Sequence, residues 1–305
     1  MVNAGDYDSL DLSHLHPSAH PIARLSVDER VQQIRADRWI GYPKAVEAVA
    51  RLETLLGWPK KQRMPNLLLV GPTNNGKSMI IERFCRNHQP ITKPDREHIP
   101  VVSVQMPSEP SPLRFYTAIL AALGAPMRPR PRVIELEQLA LSLLREVGAR
   151  MLIIDELHNV LAGRSDVRRE FLNLLRFLGN ELRIPLVGVG TREAYLAVRS
   201  DDQLENRFEP FVLPIWEVND ATRSLLASFA AAFPLHQPSV IDTDDMARYL
   251  LARSEGTIGE LARLLTAASV AAVESGIEAI DHRTLSMADY TGPTERRRLF
   301  ERELL

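Results

Sequence analysis

In Gly71-Pro72-Thr73-Asn74-Asn75-Gly76-Lys77-Ser78, two glycines bracket four residues and an ammonium and a hydroxyl follow at once. That order suits a polyphosphate. Gly71 and Gly76 let the backbone curl so that successive N–H groups converge on phosphate oxygens. Lys77 supplies a point charge for the β- and γ-phosphates, and Ser78 offers a hydroxyl oxygen to Mg2+. Pro72, Thr73, Asn74 and Asn75 complete the loop. A second group lies downstream, where Met151-Leu152-Ile153-Ile154 runs into the carboxylates Asp155 and Glu156. Neighbouring residues at a strand end point to opposite sides. Asp155 therefore suits holding a Mg2+ water, and Glu156 suits polarising the water that attacks the γ-phosphate. Together the two groups imply Mg2+-dependent hydrolysis of ATP to ADP and phosphate. A glycine-rich turn before an ordinary helix would explain the loop alone, but not the acidic pair that follows it.

Such side chains need a strand, a loop and a helix in that order, and the flanking residues supply them. Residues 67–70 form an apolar run fit for a buried strand, and residues 79–81 open a helix continuing to about residue 87. Further apolar runs at 99–106, 151–154, 185–190 and 210–215 alternate with helical spacing at 112–123, 133–147 and 169–182. Strands separated by helices specify an α/β fold with a parallel five-stranded sheet flanked by helices.

The remaining chain divides by composition. Residues 1–30 are polar, and His14, His16 and His20 stand among prolines without a partnering cysteine or carboxylate pattern, so a flexible arm is expected rather than a metal site. Residues 31–217 are assigned to the nucleotide-binding domain, 218–290 to a small all-α lid and 291–305 to a charged tail. Trp39, Ile40 and Tyr42 form an apolar, turn-rich cluster that serves either as a wall of the adenine pocket or as a core anchor. Thr191, at the tip of the 185–190 run, reads as a γ-phosphate sensor or as a helix N-cap, and one hydroxyl serves both. Arg207, just before the fifth strand, is placed to act as a finger on a neighbouring protomer's γ-phosphate, with an ordinary surface arginine as the plain alternative. His158 suits a hydrogen-bonded histidine opening the next helix. Gln105 is a candidate to pair with Glu156 and restrain it.

Composition narrows the partners. With 305 residues, 45% of them hydrophobic and 25% charged, the chain is large enough for a substantial core. A formal net charge of −2 provides no global positive field. Any DNA contact must then be local, and Lys93, Arg96, Arg128, Arg130 and Arg132 sit in loop-like stretches suited to it. The single cysteine, Cys85, rules out an internal disulfide and fits a reducing compartment. No apolar stretch has the length to span a bilayer and no signal-peptide core opens the chain, so a cytoplasmic protein without a membrane partner is expected.

With both motifs, the strand-tip hydroxyl, the late arginine and the helical region placed, the chain resembles the AAA+ ATPases. Within them it is similar to the TniB/TnsC group of transposition ATPases, relatives of the MuB type, over roughly residues 30–290. The carriers are Trp39-Ile40-Gly41-Tyr42-Pro43, Asn74-Asn75-Gly76-Lys77, Ile154-Asp155-Glu156-Leu157-His158-Asn159 and the run 178–191. The resemblance implies a homo-oligomer, ring or helical filament, assembled with ATP on double-stranded DNA. It also implies an integrase-type transposase as partner and a TniQ-like targeting protein upstream. The chain departs from the AAA+ pattern in residues 255–261, which lack the γ-phosphate-sensing arginine often found there, and Arg263 is the nearest candidate. A helicase loader shares this core, and a protein-binding NTPase switch without DNA is the alternative of another class.

Overall fold

The structure is a computed structural model that describes residues 10–94, 97–126 and 128–304. Along the chain run α1 (His20–Ala23), α2 (Val27–Arg35), α3 (Pro43–Leu56), β1 (Asn66–Val70), α4 (Lys77–Asn87), β2 (Ile91–Thr92), β3 (Glu97–His98), β4 (Val101–Gln105), α5 (Pro112–Ala122) and α6 (Val133–Glu146). Then follow β5 (Met151–Asp155), α7 (Ser165–Leu182), β6 (Leu186–Gly190), α8 (Arg192–Arg199), α9 (Asp202–Glu205), β7 (Phe208–Val212), α10 (Asp220–Ala232), α11 (Asp244–Ser254), α12 (Ile258–Ser275), α13 (His282–Met287) and α14 (Pro293–Glu303). Two compact units divide the chain. One is Lys44–Pro214, and the other joins the N-terminal segment through Pro43 to the residues from Ile215 onward.

The first unit is built on a five-stranded sheet in the order β4-β5-β6-β1-β7, with every pairing parallel. Parallel strands are covered by helices on both faces, which is why the strands are near-continuous apolar runs. All five residues of β1 and of β6 are buried. The chain leaves β1 for the far edge at β4, returns through β5 and β6 to its side, and then places β7 on its other flank. That reversal beside β1 puts the crevice of an open α/β sheet at the carboxyl ends of these strands. Gly188 in β6 is required by packing, since a Cβ there would lie 2.5 Å from Leu157 Cδ2 and 2.8 Å from Leu68 Cδ1. The missing side chain lets the segment after β5 press onto the sheet.

The second unit is helical, and it contains more of the N-terminus than the sequence suggested. A flexible arm through residue 30 is not what residues 10–30 form. Leu12, Leu15, Ala19 and Ala23 are buried together, at three- and four-residue spacing within an otherwise polar stretch. The three histidines are structural: His14 Nε2 donates to Leu235 O at 3.1 Å, His20 Nε2 to Leu15 O at 3.2 Å, and His16 Nδ1 pairs with Ser18. Among the described residues no cluster of His, Cys, Asp or Glu suits a metal ion. Arg30, 2% exposed, forms a two-pronged ion pair with Glu278 at 2.6 and 2.8 Å and donates to Pro234 O. A buried charge needs such a partner. Residues 31–43 belong here too, with Tyr42 buried edge-on against Trp216 at a centroid distance of 5.1 Å. Helix α14 has no buried residue; Arg296 reaches Glu260 at 2.8 Å and Arg297 reaches Glu255 at 3.5 Å. No single helix among the described residues is long and apolar enough to cross a membrane.

Candidate nucleotide site

The loop between β1 and α4 is fixed from below. Gly71 N donates to Gly190 O at 3.1 Å, and a Cβ on Gly71 would meet Leu213 O at 2.9 Å, so only glycine lets β7's exit pass this close. Asn75 is 2% exposed and donates through Nδ2 to Leu213 O at 3.1 Å and Pro214 O at 2.9 Å. The loop is thereby tied to the strand on its far side. Asn74 and Gly76 both adopt left-handed backbone, with φ of 58° and 82°. Gly76 caps α4 without a side-chain hydrogen bond, leaving the first-turn N–H groups of the helix to an anion.

Lys77 is buried and donates to Gly71 O at 2.8 Å and Pro72 O at 2.6 Å. Burial lowers its pKa below the ordinary 10.5, and the charges of Glu156 and Asp155 oppose that shift. An ammonium so placed gains from a polyphosphate. Ser78 Oγ stands 3.4 Å from Asp155 Oδ2, bringing two hard oxygen donors together, which fits Mg2+. The residues therefore fit both nucleotide phosphates and the ion. Asp155 Oδ1 also accepts from Glu156 N at 2.8 Å, which holds the carboxylate at the strand end.

Glu156 takes a left-handed conformation, φ 56°, that turns the chain from β5 into the short 3-10 helix Leu157–Ala162. Its carboxylate meets His158 Nε2 at 3.1 Å. His158, in the 3-10 helix that follows, thus stands at ion-pair distance from the acid. Gln105 is registered opposite Asp155, one residue short of Glu156. Thr191 occupies the N-cap position of α8, but its hydroxyl accepts no bond from the helix N–H groups and instead donates to the Glu193 carboxylate. That bond is the foremost reason the Glu193 carboxyl lies below the usual range, with His158 and Arg192 adding to it.

Arg207 lies at the other edge of the sheet, where its carbonyl accepts from Asn66 N at the start of β1. Val70, next to the phosphate loop, is four strand steps away, roughly 13 Å. The guanidinium donates to Asn180 Oδ1 at 2.8 Å. Burial first, then Arg63 and Arg176, lowers its pKa. It lines a groove of about 790 Å3 with Trp58, Lys61, Arg63 and Asn206. Arg63 and Arg176 were not singled out by sequence, because nothing in their spacing announces an arginine cluster. The residues suggested for DNA fall on two connections: Lys93 in the β2–β3 turn, and Arg128, Arg130 and Arg132 between α5 and α6, all exposed. Arg96 lies outside the described residues. Trp39, Ile40 and Tyr42 fall in the helical unit, not in the unit that carries the phosphate loop.

The family model of the bacterial TniB protein matches residues 30–218, more than half of the chain. The chain belongs to the TniB family. Other TniB-like features are those of a wider fold. ORC1 of Aeropyrum pernix, solved in complex with DNA, superposes with a TM-score of 0.59 at 19% identity, covering 84% of this chain and 68% of ORC1. Cdc6p of Pyrobaculum aerophilum gives 0.56 at 17% identity, covering 82% and 68%. The chaperone protein ClpB of Aquifex aeolicus is 26% identical over 194 residues, which is 62% of this chain and 17% of ClpB. The chain thus spans under a fifth of that curated relative, and its fold is the P-loop AAA+ core with a helical C-terminal region.

Proposed function

We propose that this TniB-family protein is an ATP-dependent, double-stranded-DNA-binding regulator of transposition that assembles into a ring or filament and recruits or activates an integrase-type transposase. A TniQ-like protein acts upstream in this reading, and hydrolysis disassembles the oligomer. Family membership supports the setting. The observation that carries the mechanism is the position of Arg207 at the sheet edge opposite its own phosphate loop, separated by the length of β1. From there it serves the γ-phosphate of a second copy. Hydrolysis then requires assembly.

Within one protomer Lys77 exchanges two carbonyl partners for phosphate oxygens, and the loop N–H groups orient the chain of phosphates. Ser78 directly and Asp155 through water would hold Mg2+, which when bound neutralises charge on the phosphates. Glu156 accepts the proton of the attacking water, and Thr191, bonded in the fold beside the loop, senses the γ-phosphate. The exposed Lys93, Arg128, Arg130 and Arg132 are the candidates for the DNA backbone.

Electron microscopy of the full chain, with and without double-stranded DNA and in ATP or ADP, tests this. Rings or filaments that need both DNA and ATP, fail to form in Lys77→Ala and persist in Glu156→Gln are expected. Particles indifferent to DNA would move the protein to a helicase-loader or protein-switch role. Identical behaviour of the two variants on DNA would remove hydrolysis as the timer.

A further inference from the structure

We propose that α14 is an ionically held strap that steadies the turn between α11 and α12 and lets go of it when its ion pairs are screened. The root of the strap is firm. The Tyr290 hydroxyl lies 3.0 Å from Glu260 Oε2 and 3.2 Å from Arg253 O, and the Arg253 guanidinium sits over the Tyr290 ring, 5.5 Å from its centroid. A Cβ on Gly292 would meet Arg253 O at 2.9 Å, so the chain passes close there as well. Beyond Gly292 the character changes. No residue of α14 is buried, and Leu299 and Phe300 are 46% and 63% exposed, so apolar packing does not hold the helix down. Polar contacts do. Glu255 Oε1 accepts from Thr294 N at 2.8 Å and from Thr294 Oγ1 at 2.6 Å, Arg297 reaches Glu255 Oε2 at 3.5 Å, and Arg296 reaches Glu260 Oε1 at 2.8 Å.

A helix of 11 residues is marginal on its own in water, so α14 stands only while these contacts hold. Glu255 meets the helix at its N-terminus, where a carboxylate is favoured by the dipole. Its carboxyl lies below the usual range, with the Thr294 hydroxyl the foremost cause. Pairs of this kind at the surface are weak and are screened by salt. What they steady is more than the tail. Glu255 and Gly256 are both left-handed, with φ of 51° and 66°, and form the turn between α11 and α12. Gly256 O accepts from Trp216 N at 2.8 Å, and a Cβ on Gly256 would lie 2.5 Å from Ile215 Cγ2. The carboxylate that anchors the strap therefore belongs to the turn that holds Ile215 and Trp216, the first residues of the chain's return to the helical unit. Release of α14 frees one side of that turn.

The test is amide hydrogen exchange of the full chain at low and at high NaCl, with the amides of β1 as the internal standard in every sample. Wild type is compared with the double change Arg296→Gln, Arg297→Gln and with the double change Leu299→Ala, Phe300→Ala. In wild type the protection of α14 is expected to fall about three- to tenfold between roughly 0.05 and 0.5 M salt, the span of a few screened surface pairs. The Trp216 amide should lose protection with it. The glutamine variant should show the low protection at both salt concentrations, and the alanine variant should match wild type. Protection of α14 that ignores salt overturns the proposal, as does protection kept in the glutamine variant or lost in the alanine variant, which would mean that apolar contacts hold the helix. Release of α14 with the Trp216 amide unchanged also overturns it, because the strap would then steady nothing but itself. None of these outcomes depends on nucleotide or DNA, so the ATPase reading stands or falls separately.

Discussion

The two edges of the parallel sheet are finished in opposite ways. At the carboxyl edge each candidate group is tied within the chain: Lys77 to two carbonyls, Asn75 to Leu213 and Pro214, Ser78 to Asp155, and Glu156 to His158. At the amino edge Arg207 is held by one amide oxygen and crowded by the like charges of Arg63 and Arg176. The first edge is held together by the chain's own contacts. The second gathers three arginines with Asp201 among them, and the chain's own phosphate loop is a strand length away. The difference is what the proposed division rests on, with nucleotide bound by one copy and its hydrolysis completed by a second.

The sharpest way to break this division is Arg207→Ala. Hydrolysis by the assembled protein is expected to fall about 10³-fold, while ATP affinity stays within error of wild type. Titration calorimetry and turnover on one preparation measure both, and a parallel loss of affinity would mean the two edges are not separate. A smaller effect is expected from Asn75→Ala, which strips partners from two carbonyls beside the loop and should cost about 1–3 kcal/mol in a chemical melt. Nucleotide affinity should fall with it. The matching change at the amino edge, Arg63→Ala, is expected to stay within about 0.5 kcal/mol, so equal costs would erase the contrast.

The smallest effect is a pH dependence. In the proposed site phosphate binding needs the Lys77 ammonium, and the fold lowers its pKa below 10.5. Affinity should be flat below that lowered value and fall as pH rises through it, by up to about tenfold per pH unit. The decline begins before an ordinary lysine would titrate. In Lys77→Ala the residual affinity should show no such decline, and a wild-type decline no earlier than that of an ordinary lysine would place the ammonium elsewhere.

The phosphate loop, the acidic pair and the parallel strands were legible because each is written locally, as spacing or as an unbroken apolar run. Residues 10–43 were not. Their polar surface hides four small apolar contacts, and the partners of Arg30 and His14, Glu278 and Leu235, lie more than two hundred positions away. The histidines looked unattached because main-chain acceptors leave no trace in sequence. Asn75 resembled any other loop residue, since its acceptors lie on β7's exit, 138 and 139 residues on. The closeness of His158 to Glu156 was not legible, because it depends on the left-handed turn at Glu156, which few non-glycine residues adopt.

The strand order has a consequence for the ribosome. Among the described residues β1 pairs with β6 and β7 alone, which are translated about 120 and 140 residues after it, on the order of ten seconds or more at ordinary elongation rates. Through that interval Leu67, Leu68, Leu69 and Val70 have no strand to lie against. That apolar run stays exposed in the nascent chain, and slowing elongation between β1 and β6 should raise the fraction lost to aggregation.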